Sequence, residues 1–99
     1  MADPMGDLDP HLQAPARLKL ATMLTAVSEV EFAVLRERLA VSDSVLSKHL
    51  SALGEAGYVK VRKGSHQGRR TTWVSLSPRG RRAVTAHVAV LRELIADVP

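Results

Sequence analysis

The side chains best suited to binding chemistry in this chain are small hydroxyls and one ammonium group near its middle. Ser44, Ser47, Lys48 and Ser51 recur at intervals of three and four residues, which places them on one face of a helix. Hydroxyl and ammonium groups hydrogen-bond base edges, and short side chains let a helix enter a major groove about 12 Å wide. The spacing predicts a face that reads duplex DNA; the alternative is a surface helix that happens to be rich in serine.

The helix that carries these groups is predicted to span residues 42–56. Ser42 is a favourable N-cap residue, and Asp43 puts a carboxylate at the positive end of the helix. Gly57 supplies a stop signal. The apolar residues of the segment fall on the opposite face and are predicted to pack on the core: Leu46, Leu50 and Leu53.

The positive charge of the chain is unevenly distributed. There are 14 Lys and Arg against 10 Asp and Glu, yet no acidic residue lies between Ala56 and Arg92. That interval holds nine of the cations: Lys60, Arg62, Lys63, Arg69, Arg70, Arg79, Arg81, Arg82 and Arg92. A patch of one sign predicts a polyanionic partner. Nucleic acid is favoured over a membrane surface, because most of these cations lie in a predicted strand-loop-strand segment and not in an amphipathic helix.

A basic β-hairpin is predicted after Gly57, where the apolar period changes from 3.6 to 2. Val59 and Val61 alternate with basic residues in a first strand, and Thr72, Val74 and Leu76 alternate with polar or aromatic residues in a second. The glycine-bracketed segment 64–70 between them is predicted to be a polar loop. Its arginines suit insertion into a DNA minor groove; a merely solvated turn is the alternative.

Two helices are predicted before the central one. The first begins at Pro15, and its core residues are predicted to be Leu20, Met23, Leu24 and Val27. Residues 29–31 alternate as a very short strand would. A second helix of about two turns is marked by its apolar positions, Phe32, Leu35 and Leu39. A short helix followed by a tight link and the 42–56 helix is the helix-turn-helix arrangement.

The last predicted helix runs from Pro78 to about Asp97 and is longer than a small core needs. Its apolar residues step by four and three, as in a heptad seam: Val84, Val88, Leu91, Ile95 and Val98. The seam, together with Leu12 and Leu18, which lie off the stripe of the first helix, predicts a homodimer interface. A seam used only within one chain is the alternative.

The composition is that of one globular domain: 99 residues, 45% hydrophobic and 24% charged. The absence of cysteine excludes disulfides and fits a reducing compartment. With no apolar run long enough to span a bilayer, the expected location is the cytoplasm, with no membrane partner. We divide the chain into a flexible acidic arm (1–8), a DNA-binding domain (9–77) and a terminal helix packed on it (78–99).

Neither an enzyme nor a metal site is predicted. No Gly-rich phosphate loop, HExxH or GxSxG motif occurs, and no catalytic residue or cofactor is assigned. The four histidines lack the i, i+4 spacing of a helical metal site. His87, beside the apolar seam, could sense pH at an interface, but a packed, hydrogen-bonded histidine is the simpler interpretation.

The segment SxxxLSKHLSxLxEAGYV entering the hairpin, and LSPRGRRA leaving it, resemble the small winged-helix regulators of the MarR and ArsR superfamily. The resemblance covers Leu8 to about Ile95, and it is specific because these motifs occur together in the expected order. It implies an α+β winged helix-turn-helix with a two- to three-stranded wing and a long C-terminal dimerisation helix.

The resemblance also implies a function and a set of site residues. The chain would be a homodimeric, sequence-specific transcriptional regulator, taken here as a repressor, that binds a pseudo-palindromic duplex DNA operator. The 42–56 helix would be the recognition helix, with six residues toward DNA: Ser42, Ser44, Val45, Ser47, Lys48 and His49. His49 lies at the edge of the apolar stripe, so a hydrogen-bonded boundary residue is the alternative to a phosphate contact there. The wing, 63–70, would contribute Lys63, His66, Arg69 and Arg70.

Two departures from the family pattern narrow these expectations. ArsR-type metal sensors use cysteines near the recognition helix, and this chain has none. The long flanking helices that frame the ligand pocket of full-length MarR proteins are also missing, so no effector is assigned. Two rival functions stay open: a non-specific architectural nucleic-acid binder, and a winged helix that binds another protein.

Overall fold

The structure is a computed structural model that describes residues 8–99, so residues 1–7 of the expected arm lie outside it. A single 3₁₀ turn over Pro10–Leu12 opens the fold. The elements that follow, in chain order, are α1 (Pro15–Thr25), β1 (Val30–Glu31), α2 (Phe32–Leu39), α3 (Asp43–Glu55), β2 (Val59–His66), β3 (Arg69–Leu76) and α4 (Pro78–Ile95). Four helices and a three-stranded sheet confirm the predicted α+β winged helix-turn-helix.

The predicted helix starts are confirmed by side-chain caps. The Ser42 hydroxyl accepts a hydrogen bond from the Val45 amide at 3.2 Å, and the Ser77 hydroxyl accepts one from the Gly80 amide at 2.9 Å. Each bond satisfies an amide that has no partner inside the first helical turn, and each is typically worth about 1 kcal/mol. The caps therefore fix where α3 and α4 begin.

The sheet has the antiparallel order β1-β3-β2, so the short strand β1 joins the hairpin along β3. The predicted seven-residue loop at the hairpin tip is wrong. The strands continue to His66 and Arg69, leaving a two-residue turn. Gln67 and Gly68 have φ values of 52° and 79°, and positive φ at both central residues matches the twist of a tight hairpin. The wing is therefore a continuous ladder almost to its end.

The core lies between the helices and one face of the sheet. Leu20 and Leu24 of α1 are fully buried, as are Leu46 and Leu53 of α3, which confirms both predicted apolar faces. Val27, expected in the core, is 38% exposed because it follows the end of α1. Ala21 is buried in its place.

Two residues assigned to a dimer interface belong to the core of the single chain. Leu12 is 0% exposed, because the 3₁₀ turn folds its side chain inward, and Val84 of α4 is 4% exposed. The side chains of Leu12 and Val84 are therefore covered by their own chain and are not exposed to a second copy. Leu18 and Val88 are half-buried against the same core, and Leu91 is half-buried. Ile95 and Val98 are 63% and 66% exposed.

A hydrogen-bonded network pins the 3₁₀ turn to α4. The Asp9 amide donates to Nδ1 of His87 at 3.0 Å, and the Tyr58 hydroxyl donates to the Asp9 carboxylate. The Asp9 carboxylate also caps the turn by accepting from the His11 amide at 2.8 Å. His87 is 2% exposed, so the packed and hydrogen-bonded interpretation applies to it.

The end of α3 is joined closely to the start of α4. Ser77 donates through its amide to the Tyr58 carbonyl at 2.8 Å and through its hydroxyl to the Gly57 carbonyl at 2.5 Å. A Cβ at Gly80 would lie 2.1 Å from the Tyr58 carbonyl oxygen, so the glycine is required for this approach. We call these four residues, Gly57, Tyr58, Ser77 and Gly80, the α3-α4 joint.

Candidate nucleic-acid interface

The exposed face of α3 presents the residue types predicted for it. Ser44, Ser47 and Lys48 are exposed, and Val45 is 39% exposed. Because α3 buries Leu46, Leu50 and Leu53, Lys48 stands near the middle of the opposite face. The exposed carboxylate of Glu55 lies at the C-terminal end of that face. The N-terminal half of α3, away from this negative charge, is therefore the part suited to a polyanion.

The first turn of α3 is partly occupied by internal contacts. The Ser42 hydroxyl caps the helix and also lies 3.2 Å from the Ser44 hydroxyl. Arg36 of α2 forms an ion pair of 2.8 Å with Asp43, and this hydrogen bond raises the pKa of the guanidinium. The ion pair offsets an acidic charge at the edge of the candidate face.

His49 is half-buried and turned toward α1. Its Nδ1 accepts a hydrogen bond of 3.3 Å from Nε of Arg17. Burial lowers the pKa of His49, and the charge of Arg17 lowers it further, so the ring is neutral at neutral pH. The resemblance implied that His49 faces DNA, whereas this contact directs one ring nitrogen to a neighbouring helix, as in the hydrogen-bonded alternative.

A groove of about 460 Å³ separates α3 from the wing. One wall is the Ser47 and Ser51 side of α3, and the other includes Val61, Lys63 and Thr72 of the hairpin, with Phe32 and Leu50 at its base. Val61 is 50% exposed, because it lines this open groove. Hydroxyls and one cation thus surround an apolar floor.

The predicted wing cations divide between the two faces of the hairpin. Opposed residues in an antiparallel pair share a face, and Lys63 is opposed to Thr72 while Ser65 is opposed to Arg70. Lys63 and Arg70 therefore share the face that borders α3. His66 is opposed to Arg69, one residue out of phase, so this pair lies on the other face.

The other face of the sheet is closed by contacts around Trp73. The Arg62 guanidinium lies 5.5 Å from the Trp73 ring centre and forms two hydrogen bonds, of 2.6 and 3.0 Å, with the Glu29 carboxylate. These bonds raise the pKa of Arg62 and lower that of Glu29. The His66 ring packs edge-on against Trp73, with its Nε2 3.7 Å from a Glu31 oxygen. Arg62 and His66 are therefore engaged within the protein.

Sequence patterns missed three of these residues. Arg17, Arg36 and Glu29 each pair with a residue of a different element, at separations of 32, 7 and 33 positions. Helical and strand periods relate residues within one element only, so no local signal identifies such partners. In residues 8–99, no three acidic or histidine side chains are grouped as a metal site requires, and no helix is long and apolar enough to cross a bilayer.

The sequence of this chain is similar to those of known proteins. A family model described as a winged helix DNA-binding domain matches residues 16–95. An uncharacterised protein of Methanocaldococcus jannaschii is 29% identical over 82 residues, which cover 83% of this chain and 89% of that protein.

Solved structures show the same fold. A transcriptional regulator homologue from Pyrococcus horikoshii superposes with a TM-score of 0.82 at 23% identity, covering 87% of this chain and 85% of its own. The regulator MosR of Mycobacterium tuberculosis, solved in complex with DNA, gives a TM-score of 0.68 at 20% identity, covering 90% and 66%. The family model is that of a winged helix DNA-binding domain, and the chain shares its fold with these two solved regulators. The family match spans α1 to α4 and contains both the exposed face of α3 and the wing, so the chain belongs to the winged helix DNA-binding domain family.

Proposed function

We propose that this protein is a homodimeric, sequence-specific regulator of transcription that binds a pseudo-palindromic duplex DNA site and represses by covering it. The observation that carries the proposal is the shared orientation of two basic elements. Ser47 and Ser51 of α3 and Lys63 of the wing line one open groove, and Lys48 is exposed on the same helix, next to Ser47. A helix can enter a major groove from this side while the hairpin reaches the adjacent backbone.

The proposed DNA contacts follow from this geometry. Ser44, Val45, Ser47 and Lys48 face the major groove, with Ser42 at its edge, because they lie on the exposed side of α3. Lys63 and Arg70 contact phosphates from the wing face that borders α3. Arg69 lies at the tight turn and reaches the minor groove or backbone from the tip. His66, packed on Trp73, supports the wing and has a lesser part in binding.

The proposed dimer uses the end of α4 that the core leaves uncovered. Ile95 and Val98 are exposed, and Leu91 and Val88 continue the same stripe toward the core, with Leu18 of α1 half-buried. Two copies joined there bury apolar surface that one copy leaves in water. A two-fold dimer presents two recognition helices to successive major grooves, which are about 34 Å apart.

The proposal is tested by selecting bound sequences from random duplexes and measuring affinity for the selected and a scrambled duplex across a salt series. We expect a two-fold symmetric motif, a selected site bound at least about 10³-fold more tightly than the scrambled one, and a steep salt dependence. Equal affinity for both duplexes would instead identify an architectural binder. An absence of salt-dependent binding would favour a protein-binding winged helix.

A further inference from the structure

Arg17 stands beside α3 on the flank that faces away from the wing. On α3, Ser47 and Ser51 line the groove shared with the wing, whereas Val45 and His49 lie about 160° further round the helix, at 100° per residue. The Arg17 guanidinium reaches that second flank from α1 and donates to His49 Nδ1. A cation from a separate helix therefore borders the exposed face of α3 on the side without a wing.

His49 is suited to hold this guanidinium. An arginine donates hydrogen bonds and accepts none, so the contact requires an unprotonated Nδ1 on the imidazole. The half-buried ring is kept in that neutral form by its surroundings. The bond uses one of the five donors of the guanidinium, and the remaining donors can bind a further acceptor.

The charge of Arg17 is also uncompensated within the described part of the chain. The ion pairs found in residues 8–99 are Arg36 with Asp43, Arg62 with Glu29 and His66 with Glu31. None of them includes Arg17. An oriented, half-exposed guanidinium that has no carboxylate partner among residues 8–99, at the edge of a basic face, is suited to an anionic oxygen.

We propose that Arg17 contacts a DNA phosphate on the flank of α3 opposite to the wing, and that His49 is its positioning residue and not a reader of bases. The inference rests on the proposed DNA binding and extends it. Phosphate contacts would then lie on both sides of the recognition helix, with Lys63 on one side and Arg17 on the other. Such contacts fix the register of a helix in the groove without reading sequence.

The first test compares the salt dependence of binding to the selected duplex for wild type, Arg17→Ala and Lys19→Ala. Lys19 is exposed on the same helix, about 200° away from Arg17, which makes it a matched control. We expect the slope of log Kobs against log salt to become shallower by about 0.9 in Arg17→Ala, which corresponds to one lost phosphate contact. The slope of Lys19→Ala should equal that of wild type.

The second test concerns His49. Removing the acceptor in His49→Ala should make the slope shallower, and adding Arg17→Ala should change it no further, because both act on one contact. His49→Asn, whose amide oxygen can replace Nδ1 as acceptor, should restore the wild-type slope. Melting temperatures measured alongside separate this effect from a loss of fold, which would reduce the active fraction and leave the slope unchanged.

Two results would overturn the inference while leaving the proposed function intact: a wild-type slope in Arg17→Ala, or a changed sequence preference with an unchanged slope in His49→Ala. If wild type itself shows no salt-dependent binding to duplex DNA, the proposed function fails. The wild-type measurement therefore distinguishes the two failures.

Discussion

Lys48 is the side chain whose position says most about how this protein recognises its target. It projects near the centre of the exposed face of α3, away from the buried leucines. A central side chain reaches deepest into a groove, whereas cations at the edges meet phosphates first. Lys48 is therefore expected to contact a base edge.

We predict that Lys48→Ala reduces discrimination between the selected and scrambled duplexes by about 1–3 kcal/mol, since it removes a base contact. Competition binding with the two duplexes at fixed salt measures this. Glu55→Gln, on the same face at the far end of α3, is the contrasting variant and should tighten both duplexes alike. Equal weakening of both duplexes by Lys48→Ala would make Lys48 a phosphate anchor.

The lowered pKa of His49 predicts a pH dependence of stability. The unfolded chain, where histidine has a pKa of about 6.5, takes up a proton more readily than the native state, where the pKa of His49 is lower. The contribution of His49 is therefore complete above that value and is lost as the pH falls toward the lower native pKa. Melting temperatures at pH 8 and pH 5 should differ more in wild type than in His49→Asn. The same difference in both proteins would contradict this prediction.

Sequence reasoning at this scale identified which side chains of α3 are exposed and which are buried. It placed Ser44, Ser47 and Lys48 correctly on the exposed face, because a helical wheel needs only the residues of one helix. It could not find the Arg17 contact to His49, which depends on how α1 and α3 pack. That packing also changes the role expected for His49.

The two faces of the wing make different contacts. One face borders α3 and carries Lys63 and Arg70, while the other ties Arg62 to Glu29 across Trp73. The predicted loop at its tip was wrong because polar, glycine-rich residues are common both in long loops and in tight turns. The pairing of His66 with Arg69 shows that the ladder continues, and the positive φ values of Gln67 and Gly68 form the tight turn.

We predict unequal effects of removing two neighbouring lysines of β2. Lys63 borders the groove beside α3, whereas Lys60 is exposed on the opposite face. Lys63→Ala should make the salt slope shallower by about 0.9, and Lys60→Ala should change it little. Titrations of the selected duplex at several salt concentrations measure the salt slope of each variant. An equal decrease of the salt slope in both variants would mean that both faces of the hairpin attract DNA and that the face beside α3 has no special role.

The close contact in the α3-α4 joint predicts how glycine substitutions change the stability of the fold. Gly80→Ala forces a Cβ against the Tyr58 carbonyl, at 2.1 Å without relaxation, and should destabilise the fold by about 1–3 kcal/mol or more.

Gly54 lies inside α3 with open space around it. Gly54→Ala should therefore stabilise the fold by about 0.5–1 kcal/mol. Urea unfolding of the two variants checks both signs, and a neutral Gly80→Ala would show that the joint can loosen.

For the molecule as a whole, α4 has two environments along its length. Its first ten residues include Gly80, Val84 and His87, which are buried, whereas Ile95 at its end is 63% exposed. The heptad pattern predicted one continuous seam, because periodicity shows which face is apolar and not what covers it. Val84, in particular, is covered by the same chain.

We predict that Ile95→Ser weakens the proposed dimer about tenfold or more, since burying one such side chain is worth about 1.5–3 kcal/mol. Sedimentation equilibrium of the full chain measures the change. Ala86→Ser, also exposed but on the opposite side of α4, is the control and should leave the association constant as in wild type. A monomeric wild type at concentrations where DNA is bound would remove the dimer from the proposal.

The α3-α4 joint has a consequence for the DNA that such a dimer could use. Two backbone carbonyls and a glycine too crowded to be replaced fasten the exit of α3 to the base of α4. The angle between the two helices is thus restrained by the hydrogen bonds of Ser77 and by the close backbone contact at Gly80. In the proposed dimer, which is held through α4, this restraint would fix the distance between the two recognition helices. A target with one extra base pair between its half-sites should therefore bind more weakly.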